Sequence, residues 1–284
     1  HLDGDARRIV RRLRRLQEGG TALTGEEDLE VLLSRILKEG RALLQAEAGS
    51  VFLREDEMTE VPHATGKDKL HKIQPYLVLK VAQNEAIRFP FQEMRLPLDA
   101  KTVSGYVGTS GKVVNAPDVY SLDEKSSFSY STTFDNISGY KCQSMLVVPM
   151  QKQDGEIIGV LQLINKRMNG GVVPFDEIDE EYLLALASQA AVCVEKGQLY
   201  SDIEAMFESL VNSFSLAIEK RDAATHGHCT RVAQYAVAIA QAVNLAPTEL
   251  FGGVRFGEAE LRELRYAALL HDVGKIAVPE AILG

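Results

Sequence analysis

The chain has 284 residues, 45% of them hydrophobic and 25% charged, with a formal net charge of −9. This length suits two domains or one large one, and the composition is that of an ordinary globular protein. The acidic balance excludes the overall basic field that would recruit nucleic acid or an anionic membrane.

In chain order, the first twenty residues are arginine-rich, with Ile9, Val10, Leu13 and Leu16 at helical spacing. Residues 1–24 are therefore expected to form a helical lead-in, either a solvated helix or a binding arm, ended by Gly19 and Gly20. Leu29, Leu32, Leu33, Ile36, Leu37, Leu43 and Leu44 predict an amphipathic helix over 29–44. Residues 49–54, 77–81 and 86–91 read as β-prone. Two further apolar runs, 144–149 and 157–164, flank Asp154-Gly155, a turn dipeptide that predicts a hairpin. Helical or irregular stretches fall at 103–109 and 118–136. Helices around hairpin-connected strands imply an α+β domain over 25–195.

No proline interrupts residues 178–218, which predicts one long helix, with 196–218 as the link between the first domain and a second. Leu199, Ile203, Met206, Leu210, Ser213 and Ala217 step as a heptad. This stripe pairs two chains in parallel or packs on its own domain. Val232, Tyr235, Ala236, Ile239, Ala240 and Val243 line a further helix. A polar break is expected over 244–260, then a helix over 261–271. Val232, Ile239, Leu269 and Leu270 are expected to need helices that the sequence lacks, leaving an apolar patch.

The most informative run of the first domain is Asn165-Lys166, then Phe175, then Asp179-Glu180. A Lys–Asp pair at this place pins the end of a strand to the start of a helix, and acidic residues there suit the helix dipole. The run resembles the signature of the cyclic-nucleotide-binding branch of GAF domains. Ser50 to Leu53, Val114 to Asp118 and Gly159 to Lys166 extend the resemblance over about 170 residues. It implies an antiparallel sheet flanked by helices, with a pocket for a small molecule, cyclic AMP or cyclic GMP, between the sheet and its covering helices. By motif, Ser50 stands on its floor, and Val103 and Ser104 open a helix whose N–H groups suit a phosphate. Asp135, Ser138 and Cys142 fall on the covering segment and Gln162 on the last strand. Ala82 stands where the family often has an aromatic residue. Ser50 and Cys142 read equally well as small core residues.

The strongest chemistry lies at the end. His271-Asp272-Val273-Gly274-Lys275 closes an apolar helix, and an adjacent imidazole and carboxylate suit a divalent metal. Gly227, His228 and Arg231 open a helix 43 residues earlier. Together they resemble the first two motifs of the HD-GYP family, all-α, metal-dependent phosphodiesterases of cyclic-di-GMP, over 219–284. The resemblance carries over His228, His271 and Asp272 as metal ligands, with Asp272 and Lys275 in catalysis, Lys275 toward phosphate. Ala224 replaces a glutamate tied to a third metal in some members, which implies two divalent ions, iron or manganese. His226 reads as a loop histidine. A start at His1 rather than Met and a stop at Gly284 just after a strongly patterned stretch read as cuts at both ends; the family's Gly-Tyr-Pro loop and later ligands are not in the sequence, so this chain alone is expected to be inactive. The implied whole is a bacterial signalling protein, a ligand-switched phosphodiesterase, with a ligand-free dimerisation module or another nucleotide phosphate ester as alternatives. Cys142, Cys193 and Cys229 are odd in number and widely spaced, which speaks against disulfides. With no signal-peptide pattern and no apolar run of about 20 residues, a cytoplasmic protein with no membrane segment is expected.

Overall fold

The computed structural model describes residues 29–62, 69–87, 94–123, 126–221, 227–247 and 249–278. The arginine-rich lead-in and His226 lie outside them. The chain divides into two compact units, His1–Gly197 and Gln198–Gly284.

The first unit is built on a seven-stranded antiparallel sheet. Its strands are β1 (Ala46–Pro62), β2 (Lys69–Asn84), β3 (Arg95–Pro97), β4 (Val114–Ala116), β5 (Met145–Gln151), β6 (Ile157–Met168) and β7 (Gly171–Val173), in the order β3-β2-β1-β6-β5-β4, with β7 on β6. The period-two alternation of β6 decides which side chains each face buries. Leu161 and Leu163 point to one face, where α1 (Leu29–Leu44) contributes Leu33, Ile36 and Leu37, and α4 (Glu177–Arg221) contributes Leu183, Leu186 and Ala187. Val160 points to the other, against Val103 and Val107 of α2 (Val103–Ser110). Each of these large side chains contributes about 1.5–3 kcal/mol by leaving water. Gly49 on β1 is required by closeness, since a Cβ there would meet Leu37, Leu163 and the Gln162 carbonyl within 2.9 Å.

The hairpin expected at Asp154-Gly155 is present between β5 and β6, with Gly155 at φ 95°. Two expectations for the strands are corrected. β1 and β2 are far longer than 49–54 and 77–81, pairing with each other from Ala48–Asn84 out to Pro62–Lys69. β2 stops at Asn84, whose side chain accepts from the N–H groups of Ala86 and Ile87 and turns the chain, so these two residues belong to no strand. Such an Asx turn competes with the sheet ladder for the same backbone donors. Residues 88–91 lie outside the described set.

In the second unit, the end of α4 packs with α5 (His228–Leu245) and α6 (Glu258–Leu270), burying Val211, Cys229, Ala233, Ala268 and Leu269. Tyr266 stands edge-on to Phe207 with ring centroids 5.1 Å apart, and Arg265 pairs with Glu208 at 2.9 Å. The break between helices is shorter than expected, because Asn244 still belongs to α5 and α6 begins at Glu258, where the Glu260 carboxylate caps the Gly257 N–H. The expected apolar patch is also reduced. Leu269 is buried and Val232 and Leu270 pack against the cluster, while Ile239 stays exposed. Among the described residues no helix is long and apolar enough to cross a membrane.

Candidate functional site

His228 is the first residue of α5, entered through Gly227 at φ 68°, a left-handed turn that suits glycine. His271 and Asp272 come directly after the last turn of α6. Donor atoms of His228, His271 and Asp272 all lie within 4.8 Å of one another. The two imidazoles meet at 61° with centroids 5.4 Å apart, and His271 Nε2 lies 3.4 Å from Asp272 Oδ2. Bonds of about 2.1 Å put two donors of one ion at most ~4.2 Å apart, so this trio needs only a small contraction to share an ion. His271 Nδ1 lies 2.8 Å from the Ala268 carbonyl, which receives its proton and leaves Nε2 free to ligate. The end of α6, with its exposed carbonyls, also favours a cation.

Lys275 sits in a 3-10 turn (Val273–Ala277), and its Nζ donates to Asp272 Oδ2 at 2.7 Å. That hydrogen bond leads the effects holding the Asp272 carboxyl below its ordinary range. The lysine is thus brought to the same place as the trio, on its carboxylate. Arg231 folds back toward Gly227, where a Cβ would lie 2.8 Å from its Nη1.

In the first unit, Ser50, Val103, Ser104 and Gln162 come together on one face of the sheet. Ser50 is opposite Gln162 in the β1–β6 register, and Ser104 Oγ donates to Gln162 Oε1 at 2.9 Å. Thr102 caps α2 by accepting from the Gly105 N–H, so one N–H at that helix start is already spent. Asp135, at the start of the short helix α3 (Thr133–Ser138), is held by the hydroxyls of Tyr120 and Tyr130 and accepts from the Cys142 N–H. Sequence reasoning missed both tyrosines, which belong to a stretch without periodicity. Hydrogen bonding to Asp135 pushes the Tyr120 hydroxyl up to about 12. Burial pushes the Cys142 thiol up to about 12, which makes it a poor nucleophile. Ser138 Oγ donates to the Phe134 carbonyl.

The Asn165 to Glu180 run forms a latch at the strand end. Lys166 and Asp179, 6% and 1% exposed, form a buried ion pair, and Asp176 joins at 3.0 Å from Lys166 Nζ. Asp176 and Asp179 also cap each other's backbone N–H groups at 2.9 Å, a reciprocal arrangement at the start of α4. Asn165 takes φ 56°, accepts from the Gln143 N–H and donates to the Lys141 carbonyl. Phe175 is buried in the core, and Glu180 accepts from Asn115 Nδ2 at 2.7 Å. The roles of Asp176 and Asn115 have no signal in the sequence.

The GAF domain family matches residues 28–194. The chain belongs to it. An HD domain matches residues 225–283. Among curated relatives, the dual 3′,5′-cyclic-AMP and -GMP phosphodiesterase 11 of Drosophila melanogaster is 30% identical over 179 residues, 63% of this chain and 11% of that one. The dual phosphodiesterase 11A of Takifugu rubripes is 38% identical over 109 residues, 38% of this chain and 11% of that one. The chain therefore spans about a tenth of the length of these relatives. Among solved structures, the GAF domain of a phosphoenolpyruvate-protein phosphotransferase from Coxiella burnetii matches with 19% identity and a TM-score of 0.49, over 67% of this chain and 96% of that one. A GAF unit with an HD region after it fits a signalling protein, and HD domains are typically metal-dependent.

Proposed function

We propose that this chain joins a ligand-sensing GAF unit to a metal-dependent phosphodiesterase of the HD-GYP type, which in the complete protein hydrolyses cyclic-di-GMP. The observation that carries the hydrolase reading is the gathering of His228, His271 and Asp272 donors within 4.8 Å. Two imidazoles and a carboxylate fit manganese or iron, and two ions are expected in the whole domain. Bound divalent ions supply Lewis acidity and an activated water. The chain's own residues position the chemistry: Ala268 fixes the His271 tautomer, and Lys275, held on Asp272, is proposed to meet a phosphate oxygen.

Cyclic AMP or cyclic GMP is proposed as the GAF ligand, over Ser50, Val103, Ser104, Asp135, Ser138, Cys142 and Gln162. The relatives' action on these two nucleotides supports that choice, and it equally favours a second reading in which the HD domain cleaves another cyclic nucleotide. Leu199, Ile203, Met206 and Leu210 are all exposed on α4, which supports a parallel homodimer through this helix; a cytoplasmic location is part of the same proposal. Met206→Asp with Leu210→Asp is expected to halve the mass seen by light scattering. An unchanged mass removes the dimer from the reading.

The test of activity is hydrolysis of cyclic-di-GMP, cyclic AMP and cyclic GMP by the protein as encoded, loaded with Mn²⁺ or Fe²⁺. His271→Ala is expected to lower turnover and metal content together, by at least about 100-fold in turnover. Turnover that survives this change, or that ignores chelation, would overturn the assignment. Cleavage of only the mononucleotides would select the second reading.

A further inference from the structure

At the corner of the sheet opposite the β1–β2 tip, a cavity of about 410 Å³ is lined by Arg41, Gln45, Glu47, Glu85 and Arg167. Its size falls at the lower end of small-molecule sites, roughly 300–1,000 Å³. All of these residues belong to the GAF unit, and none is used by the proposed nucleotide pocket.

Arg41 is the unusual member. It is 6% exposed, although it sits near the end of α1, where an arginine ordinarily reaches into water. Its guanidinium is held from three sides. Nη1 donates to Gln83 Oε1 at 3.1 Å, and Nη2 donates to the Glu47 carbonyl at 2.9 Å and lies 2.8 Å from Glu85 Oε1. Gln83 is itself fixed by donating to the carbonyl and hydroxyl of Ser34. Nε is buried and has no hydrogen-bond partner among the described residues. A buried, unpaired donor on a cation is costly. Nε and Nη2 form the edge of a guanidinium that grips an oxyanion with two parallel bonds.

The acidic groups here are not equivalent. The Glu47 carboxylate is already taken up, by Arg167 on one oxygen and by Tyr140 and Asn165 on the other. Glu85 is 80% exposed along its side chain and meets Arg41 through one oxygen. It is a loosely held counter-ion, easily exchanged.

We propose that this cavity binds a small molecule through a carboxylate or phosphate group, which takes the place of Glu85 and bridges Nε and Nη2 of Arg41. Arg167, 46% exposed, also lines the cavity, with its guanidinium paired to Glu47.

The test tracks the Arg41 Nε–H resonance by NMR while the chain is titrated with succinate or with inorganic phosphate, against sodium chloride at matched ionic strength. A saturable downfield shift with either oxyanion is expected, and the one that saturates names the head group. Glu85→Gln, an exposed change that leaves the fold intact, is expected to tighten binding several-fold by removing the competitor. Arg41→Lys keeps the charge but loses the two-bonded edge, and is expected to weaken binding about tenfold or more. An Nε–H signal that moves no further than in chloride, in both the parent and Glu85→Gln at tens of millimolar, overturns the proposal, as does tight binding that Arg41→Lys leaves unchanged.

Discussion

Replacing Asp179 by alanine tests the latch most directly. The carboxylate is 1% exposed and its partner Lys166 is 6% exposed, so the change leaves an ammonium in the interior. Removing one member of a buried pair costs about 3–5 kcal/mol. Two features of the structure pull in opposite directions from there. Asp176 remains 3.0 Å from Lys166 Nζ and offsets part of the loss, but its side chain is 61% exposed and solvent weakens that contact. Asp179 also accepts from the Asp176 N–H, and the loss of such a helix-start hydrogen bond adds about 1 kcal/mol. The net expectation is about 3 kcal/mol, or a fall in Tm of about 6–12 °C for a unit of this size. The sequence holds no tryptophan, so the transition is monitored by far-ultraviolet circular dichroism in urea and on heating. Lys166→Met combined with Asp179→Ala is expected to recover much of the loss, since the orphaned charge is gone. A single-variant cost below about 1 kcal/mol, or a double variant that is simply additive, would refute the reasoning.

Gly159→Ala on β6 is expected to cost about 3 kcal/mol or more in urea denaturation, because the new Cβ would lie 2.3 Å from the Phe52 carbonyl oxygen, a backbone atom that cannot step aside. Glu47 gives a pH dependence. Burial pushes its carboxyl up, but hydrogen bonds from Arg167, Tyr140 and Asn165 outweigh this and hold it below the ordinary 4.5. A depressed folded-state value means its contribution is full above 4.5 and is lost as pH falls through that lower value. Glu47→Gln is therefore expected to be destabilised at neutral pH and to converge on the parent in strong acid; parallel stability curves from pH 7 down to the acid transition would contradict this.

Much of the fold was legible because its signals are local. The 3.6-residue spacing of Leu29 to Leu44 marks α1 end to end, and the Asp154-Gly155 turn marks the β5–β6 hairpin. Two histidines and an aspartate are named together by the resemblance of Gly227-His228 and His271-Asp272 to family motifs, and the structure brings their donors within 4.8 Å although the histidines stand 43 positions apart. The features that stayed hidden depend on distant partners. Arg41 carries no signal in the sequence; its burial comes from Gln83 and Glu47, which only the sheet brings to it. Nothing local to Asp135 shows that the hydroxyls of Tyr120 and Tyr130 donate to its two oxygens. β2 ends where the Asn84 side chain takes the Ala86 and Ile87 N–H groups, a turn that composition alone does not announce.

β1 keeps company with β6 only as far as Leu53, whereas its pairing with β2 continues to Pro62. Beyond Leu53 the two strands run on as a ribbon, and from Glu55 and Tyr76 outward none of its described side chains belongs to the buried core. Trimming or adding equal pairs of residues on both strands preserves which way every remaining side chain faces, and the sheet behind it does not register the change. For the experimentalist, this makes the ribbon a place to lengthen, shorten or label, while a single-residue change on one strand near Leu53 would propagate inward through the register.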